Sequence, residues 1–494
     1  MKDPSRLYRW LLLVSSLVTL VFLVGAALWE NYLSQWQFIQ RAYREILEEK
    51  ATDAQGRKIL ENFRIEFRQV SVPALGAVDR CVTCHAGIDD PRMTDVRQPF
   101  RIHPGDILVH HPVDRFGCTV CHHGQGAATN FQDAKAEDAY WPYPLLTAEL
   151  TQASCLSCHD PQRLPREQVA LLREGMELYE QKSCGSCHEL NGRGGSLGPA
   201  LDGEGSKTKH ELVLTNLEPP HTTWRWHQAH FRDPGAIVPG SLMKNPTVTQ
   251  QQALALSVYM LALQERDVPE SYLAPDKIDE MYAGLHPEPL GGEEVYRRYC
   301  VACHGTGRYG RWDKTFHRFI PAIRGPSLLA TASPEYLQVN IAQGRPGTEM
   351  PAWREQAGGL LPEEIRALVD YLRTGRRARV SSGSRLARGE PNRGAVLFAQ
   401  NCTGCHGLGG RGGVAPELAN AIFQQAASDD FIVTTIRDGR RNTAMPAFQQ
   451  PGASGLTDQE IADLLAHIRA LGEEPGGSET LKAEHEPPQA GEAP

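Results

Sequence analysis

The stretch Cys81-Val82-Thr83-Cys84-His85 decides the fold, because its C-x-x-C-H spacing occurs six times in this 494-residue chain. The other copies span residues 118–122, 155–159, 184–188, 300–304 and 402–406. In this spacing two thiols can form thioethers with the vinyl groups of one haem, and the adjacent histidine can bind its iron. Each copy therefore predicts a covalently attached haem c.

The cysteine count supports this interpretation. A single C-x-x-C-H could be a redox disulfide or half of a zinc site. Here the six motifs use all 12 cysteines and leave none for a disulfide, which favours a hexahaem c-type cytochrome. The predicted thioether positions are Cys81, Cys84, Cys118, Cys121, Cys155, Cys158, Cys184, Cys187, Cys300, Cys303, Cys402 and Cys405. The predicted proximal iron ligands are His85, His122, His159, His188, His304 and His406.

The composition limits the compartment and the partners. The net charge is -8, and no basic stripe alternates with aromatic residues, so we expect no nucleic-acid partner. Haem c is attached outside the bacterial inner membrane, so the chain is expected to be exported. Thioethers explain abundant cysteine in an oxidising compartment without disulfides.

Residues 11–29 form an uncharged apolar run, about as long as a membrane-spanning helix. Basic residues precede the run, which predicts a cytoplasmic N-terminus and a single pass through the inner membrane, with the bulk of the chain in the periplasm. A cleaved signal peptide is the alternative, with a small-residue cleavage site at 25–27. The interfacial positions of Trp10 and Trp29 favour a retained anchor over residues 1–30.

After this anchor we predict a connecting helix over residues 31–75, lying along the membrane surface, against a partner or as a solvated stalk. A trihaem module follows over residues 76–164. Its three motifs begin 37 residues apart, at Cys81, Cys118 and Cys155. Segments this short cannot bury much side-chain surface, so we expect haem-to-haem packing and little regular structure beyond short helices at the motifs.

The trihaem module also holds four histidines outside its motifs: His103, His110, His111 and His123. Four spare imidazoles beside three irons predict bis-histidine coordination. We predict His103, His111 and His123 as distal ligands, with His110 as the alternate for His111. His123 follows His122 directly, so it can serve only a neighbouring haem.

From about residue 165 each remaining motif has roughly a hundred residues to itself, and each segment follows the same order of features. Glycine and an aromatic residue four positions apart precede each motif: Gly175 and Tyr179, Gly292 and Tyr296, Gly394 and Phe398. Each motif is followed by a loop proline (Pro199, Pro326, Pro416), a methionine (Met243, Met350, Met445) and an amphipathic helix. The predicted domains are 165–266, 290–375 and 391–473, with linkers at 267–289 and 376–390 and a disordered tail at 474–494.

This order of features resembles the class I cytochrome c fold in three copies. A glycine at each of these positions lets another helix cross closely. The resemblance implies that Gly175 and Tyr179 meet the closing helix, that the carbonyls of the three loop prolines accept the proximal histidine N–H, and that methionine is the distal ligand. The chain departs from the pattern twice. Met243 is followed by Lys244 rather than proline, which leaves His221, His227 and His230 as alternatives to it. The third closing helix has His467 where the others have tyrosine.

The whole arrangement resembles the membrane-anchored multihaem cytochrome c subunit of bacterial quinol-oxidising cytochrome b complexes, through residues 79–85, 116–118 and 124–126. That resemblance implies a membrane partner of the cytochrome b type, or another quinol-oxidising subunit, and a periplasmic electron acceptor. Methionine ligation raises haem potential relative to histidine ligation, so electrons are expected to run outward from the trihaem module.

We therefore predict a mainly α-helical, non-enzymatic electron-transfer subunit. Two alternatives remain at this stage. If the four spare histidines supply fewer than three ligands, one haem is open to substrate and the chain is a multihaem reductase. The same fold could also serve as the electron-accepting subunit of a terminal oxidase.

Overall fold

The computed structural model describes residues 4–137, 140–284, 287–374, 386–449 and 455–472. The predicted tail and residues 376–385 of the second predicted linker lie outside these ranges. The described chain is mainly helical, as predicted, and its sheet structure consists of two-stranded antiparallel hairpins. The hairpins pair Val70–Val72 with Ala77–Asp79, Glu189–Leu190 with Arg193–Gly194, and Arg311–Asp313 with Arg318–Ile320.

The helices fall into two length classes. The longer α-helices are Pro4–Tyr32, Gln35–Lys50, Ala54–Asn62, Ala170–Gln181, Thr223–Arg232, Gln250–Ala262, Pro275–Gly284, Pro334–Gln343, Pro362–Arg373, Pro391–Asn401, Asp429–Asp438 and Asp458–Ala470. The shorter ones are Cys81–Cys84, Ile107–His110, Val113–Phe116, Thr119–His122, Phe131–Lys135, Pro234–Ile237, Gly292–Val295, Val301–His304, Pro326–Thr331, Glu355–Gly358, Thr403–His406 and Ala421–Ala426, with a π-helix at Tyr296–Cys300. The 3-10 turns are Pro73–Leu75, Pro91–Met93, Ala148–Ser157, Cys184–Ser186, Glu204–Ser206, Lys209–Glu211, Glu270–Tyr272 and Leu408–Gly410.

The chain divides into two compact units. The first comprises residues 1–173, 203–229 and 253–282, and the second comprises residues 174–202, 230–252 and 283–494. The first unit therefore contains the first three C-x-x-C-H motifs, and the second unit contains the other three. The segment predicted as a linker at 267–289 contains the helix Pro275–Gly284, which its composition did not indicate.

The N-terminal helix Pro4–Tyr32 is long and apolar enough to cross a membrane. Its large apolar side chains are exposed, including Leu12 and Phe22. The most apolar part of the helix has a mean hydropathy of 2.6. Length and composition of the anchor thus agree with the sequence-based prediction.

The helix Gln35–Lys50 packs inside the first unit. Its Trp36, Tyr43 and Leu47 are buried, and they lie along one face because they are spaced seven and four residues apart. Tyr43 and Leu47 share an apolar cluster with Met93 and Phe100. The apolar side of this helix therefore packs against residues of the predicted trihaem module. That side faces neither solvent, as in a solvated stalk, nor a membrane surface.

Two glycines allow close helix crossings in the second unit. A Cβ atom at Gly292 would lie 2.0 Å from the Ala367 carbonyl oxygen, and one at Gly394 would lie 2.0 Å from the Asp463 carbonyl oxygen. Both carbonyls belong to the closing helices, Pro362–Arg373 and Asp458–Ala470. Both glycines therefore lie at close helix crossings, as the sequence predicts for glycine at these positions.

Aromatic rings meet at the same two crossings. The centroids of Tyr296 and Tyr371 are 5.6 Å apart, and those of Phe398 and His467 are 5.3 Å apart. His467 therefore takes the place of the tyrosine and faces the equivalent aromatic ring. This departure from the family pattern leaves the ring contact in place.

We expect Gly292→Ala to lower the free energy of unfolding of its domain by about 3 kcal/mol, because overpacking against a backbone carbonyl forces the two helices apart. Gly291→Ala is the matched control, since a Cβ there meets nothing within 4 Å. Thermal unfolding of the haem-loaded protein measures both variants. Equal midpoints for the two variants would contradict the close crossing.

Candidate functional site

The first two haem-attachment motifs lie side by side in the first unit. Asp79 ends a strand just before the first motif and is fully buried. Its carboxylate accepts hydrogen bonds from the Cys118 backbone N–H and, at 3.0 and 2.7 Å, from the N–H and hydroxyl of Thr119. The thiols of Cys81 and Cys118 contact each other. A buried carboxylate thus fixes the second motif against the first.

The third motif packs against the second. The Ser154 hydroxyl donates a hydrogen bond of 2.8 Å to the Cys121 carbonyl. Burial and, to a smaller extent, nearby Cys158 raise the pKa of Cys121 to about 11. The turn Ala148–Ser157 therefore brings the third pair of cysteines next to the second.

Two proximal histidines of this unit face another imidazole. The ring centroids of His103 and His122 are 6.3 Å apart, and those of His111 and His159 are 5.9 Å apart. Burial lowers the pKa of His103 and of His159. Neutral imidazoles are the form that binds metal ions.

The other histidines of the trihaem module have different surroundings. His123 is half-buried, and the burial of its imidazole lowers its pKa to about 4. Its ring lies 6.0 Å from the Tyr143 ring, and its Nε2 lies 3.4 Å from the Gln264 amide nitrogen. His110 is exposed and lies 3.8 Å from Asp106.

In the second unit, proline carbonyls orient two of the proximal histidines as the class I resemblance implied. The Nδ1 atom of His188 lies 2.8 Å from the Pro199 carbonyl oxygen. The Nδ1 atom of His406 lies 2.8 Å from the Pro416 carbonyl oxygen. Such a bond fixes the tautomer and the ring orientation, so that Nε2 is the nitrogen that would bind iron.

In the middle domain, the prediction that the Pro326 carbonyl accepts the proximal histidine N–H was wrong. The Nδ1 atom of His304 lies 3.4 Å from the carbonyl oxygen of Pro321, not of Pro326. Pro321 follows the hairpin strand Arg318–Ile320, which returns the chain to the histidine. Pro326 instead begins the helix Pro326–Thr331, where its missing N–H costs nothing. Burial lowers the pKa of His304 to about 4.

Met350 and Met445 lie in loops of the same construction. Each methionine N–H donates to a threonine hydroxyl two residues earlier, at 3.2 Å to Thr348 and 3.1 Å to Thr443. Each methionine carbonyl accepts a hydrogen bond from the backbone N–H of an arginine five residues earlier, at 2.9 and 3.0 Å. The sequence Gly-Arg-x-x-Thr-x-Met-Pro is common to both loops, at residues 344–351 and 439–446.

The loop of Met243 shares part of this construction. Its N–H donates to the Ser241 hydroxyl at 3.2 Å, again two residues earlier. Lys244, in the position where proline follows the other methionines, forms a 2.5 Å ion pair with Asp313. Burial would raise the pKa of Asp313, but Lys244 and backbone N–H groups outweigh it and lower the pKa.

Two of the histidines that competed with Met243 have other partners. His227 is buried, and its Nε2 lies 3.0 Å from a Glu204 carboxylate oxygen. Burial would raise the pKa of Glu204, but His227 and Lys207 lower it to about 2. His221 Nε2 lies 2.9 Å from the Leu217 carbonyl oxygen. Each of these two histidines thus has one ring nitrogen in a contact with an oxygen atom.

A cavity of about 770 Å³ connects the middle and third cytochrome segments. It is lined by both predicted iron ligands of each segment: His304 and Met350, His406 and Met445. The attachment cysteines Cys300, Cys303, Cys402 and Cys405 also line it. Thiols, imidazoles and thioethers around an apolar cavity are the donor set that haem c requires. The residues present therefore fit two haems.

An aromatic contact joins the same two segments. The rings of Tyr336 and Phe431 occupy equivalent positions in the helices before the methionine loops, and their centroids are 4.5 Å apart. The Arg440 guanidinium lies 4.5 Å from the Phe431 ring centroid and donates to the Ser327 carbonyl. Both rings line the shared cavity.

Sequence reasoning missed this pair and Pro321, although one signal was available. The repeated Gly-Arg-x-x-Thr-x-Met-Pro element, with Tyr336 and Phe431 each nine residues before its arginine, marks the two loops as copies. Aligning those copies would have placed the two rings in equivalent positions.

Three segments of the chain match known protein families. Residues 172–264 match the cytochrome c family. Residues 287–372 and 389–468 match cytochrome c oxidase, cbb3-type, subunit III. The fold and these sites define cytochrome c domains with covalently bound haem, behind a helix that can span a membrane.

The relatives are subunits of respiratory complexes. A cbb3-type cytochrome c oxidase subunit FixP of Bradyrhizobium sp. is 29% identical over 37% of this chain and 60% of its own length. The corresponding subunit CcoP of Rhodobacter capsulatus is 28% identical over 37% of this chain and 61% of its own. A cytochrome bc1 complex cytochrome c subunit of Mycobacterium bovis is 28% identical over 38% of this chain and 65% of its own. This chain thus spans about three fifths of these relatives.

One solved structure also matches in part. The Kuenenia stuttgartiensis reducing HAO-like protein complex Kustc0457/Kustc0458 is 22% identical over 37% of this chain and 97% of its own, with a TM-score of 0.26. A TM-score this low supports no structural conclusion.

Proposed function

We propose that the chain is a membrane-anchored hexahaem c-type cytochrome that carries electrons from a quinol-oxidising membrane partner to a periplasmic acceptor. One observation carries the proposal: neighbouring attachment motifs touch within each compact unit. In the first unit Cys81 contacts Cys118, and the turn before Cys158 packs on Cys121. Haems attached to these motifs would therefore lie close to one another.

The second unit supports the same arrangement. The thiols of Cys187 and Cys303 contact each other, so haems attached to the first two cytochrome segments would lie close. The shared cavity has room beside both His304 and His406, which would hold the second and third of these haems. Electron tunnelling falls steeply with distance, so each unit is suited to conduct through its three haems.

The proposed distal ligands give this path a direction. Histidines His103, His111 and His123 are the candidates in the first unit, and methionines Met243, Met350 and Met445 in the second. Thioether ligation raises the potential of haem iron relative to imidazole ligation. Electrons would therefore enter at the trihaem module, next to the anchor, and leave through the cytochrome segments.

The electron-accepting subunit of a terminal oxidase is the second candidate. It is favoured by the match of residues 287–372 and 389–468 to the cbb3-type subunit. The bc1-complex relative matches a similar share of the chain, so these similarities do not choose between the two roles. Purification of the intact membrane complex separates them: a cytochrome b-type partner supports the first role, and a haem–copper oxidase subunit supports the second.

We expect the mature chain to carry six haems, because the six motifs use every cysteine. The intact mass of the purified protein should exceed the polypeptide mass by six haem units. A fully matured preparation with four haems or fewer would overturn the hexahaem proposal.

A further inference from the structure

Resting on the proposed hexahaem chain, we propose that His103 and His122 bind one iron from opposite sides, and that His111 and His159 bind another. The short stretch 103–111 would then supply the distal ligands of both the second and the third haem. This stretch precedes the second motif in the sequence. The distal ligand of the third haem would therefore come from a segment two motif positions earlier than the cysteines that attach that haem.

The ring distances carry the assignment. Imidazole nitrogens bind metal ions at about 2 Å, so two imidazoles on opposite sides of one metal have ring centroids roughly 6 Å apart. The two observed separations are 6.3 Å for His103 and His122 and 5.9 Å for His111 and His159. Each pair contains one proximal histidine of a motif and one histidine outside the motifs.

The second ring nitrogens support the same pairs. The Nδ1 atoms of His103 and His122 lie 3.0 Å from the carbonyl oxygens of Pro104 and Leu146. A ring nitrogen that donates to a carbonyl fixes the tautomer and leaves the other nitrogen for the metal. In this pair, both Nε2 atoms are therefore available for one iron.

In the other pair, one ring has a carbonyl partner and the other lies near a carboxylate. The Nδ1 atom of His111 lies 3.1 Å from the Ile107 carbonyl oxygen. The Nδ1 atom of His159 lies 3.8 Å from a carboxylate oxygen of Asp276. Asp276 belongs to the helix Pro275–Gly284, so this helix places a carboxylate beside a proximal ligand.

The neighbouring histidines do not fit these two irons. His110 precedes His111 directly but is exposed beside Asp106. His123 has its Nε2 beside the Gln264 amide rather than beside a proximal imidazole. The geometry thus selects His103 and His111 among the four spare histidines and assigns each to one haem.

The test compares His103→Ala, His111→Ala and the control His110→Ala in the full haem-loaded chain. We expect His103→Ala and His111→Ala each to leave one haem iron without its distal ligand. In the reduced protein that iron should bind carbon monoxide. In the oxidised protein it should add a high-spin signal to the electron paramagnetic resonance spectrum. Added imidazole should restore the low-spin signal. His110→Ala should match the parent. Spectra of His103→Ala or His111→Ala that match those of His110→Ala would overturn the assignment.

To test which haem each histidine serves, the same substitutions are made in a chain that lacks the second haem. In a chain with Cys118→Ala and Cys121→Ala, which lacks the second haem, His103→Ala should free no further iron, whereas His111→Ala should still free one. A newly freed iron with His103→Ala would show that His103 serves a different haem. If this five-haem chain does not mature, a cryo-EM map of the haem-loaded parent shows which imidazole opposes His122, and any ring other than His103 overturns the pairing.

Discussion

Replacing Met350 or Met445 by histidine should lower the midpoint potential of one haem by more than about 0.1 V, since axial ligands set haem potentials over a range of roughly 0.8 V. The thioether sulfur stabilises ferrous iron better than imidazole does. Both methionines line the cavity that also holds the proximal His304 and His406. Each substitution should therefore move one step of the redox titration.

A spectroelectrochemical titration of the full chain measures this shift. Met281→His is the matched control, because Met281 is exposed on the helix Pro275–Gly284 and should leave every step unchanged. A titration of the Met350→His, Met445→His double variant that overlays the parent curve would refute both ligand assignments.

The sequence was sufficient where the determinants are local. The C-x-x-C-H spacing fixes haem attachment within five residues, so it can be read without knowing the fold. The glycines Gly292 and Gly394 also report on the fold, because only a residue without Cβ allows the closing helix to approach so closely. Both features led to the cytochrome c domains that the family matches confirm.

The sequence was insufficient where a contact depends on how a hairpin or loop brings distant residues together. Pro321 and Pro326 are both loop prolines after the same motif, and only the hairpin Arg311–Asp313 with Arg318–Ile320 determines which carbonyl reaches His304. The spacing of Trp36, Tyr43 and Leu47 predicted a helix with an apolar face. It could not indicate that the covering residues are Met93 and Phe100, some fifty residues away.

The pairing of imidazoles shows the same limit. Four spare histidines within 21 residues predicted histidine ligation, but which ring faces which motif depends on the short helices and the loops that join them. Irregular segments carry little periodic signal, so their long-range contacts are the part of this chain that sequence patterns predict least.

The last expected result concerns where electrons enter. A chain with Cys81→Ala and Cys84→Ala lacks the first haem, nearest the anchor in sequence. In membranes that hold the rest of the complex, quinol should reduce its remaining haems at least about tenfold more slowly than in the parent, equivalent to about 1.4 kcal/mol of added barrier. Stopped-flow absorbance after addition of quinol gives the rate.

Point substitutions suit this test better than truncation near Val169. Residues 203–229 and 253–282 share a compact unit with the first three motifs. Removing everything before Val169 would therefore leave these two segments without the residues against which they pack. The matched control is Cys402→Ala with Cys405→Ala, which lacks the sixth haem. Its remaining haems should be reduced by quinol at the parental rate, while onward transfer to a soluble acceptor slows. Both five-haem chains should still be reduced by dithionite. If quinol reduces the chain without the first haem as fast as the parent, electrons enter elsewhere and the proposed outward path is wrong.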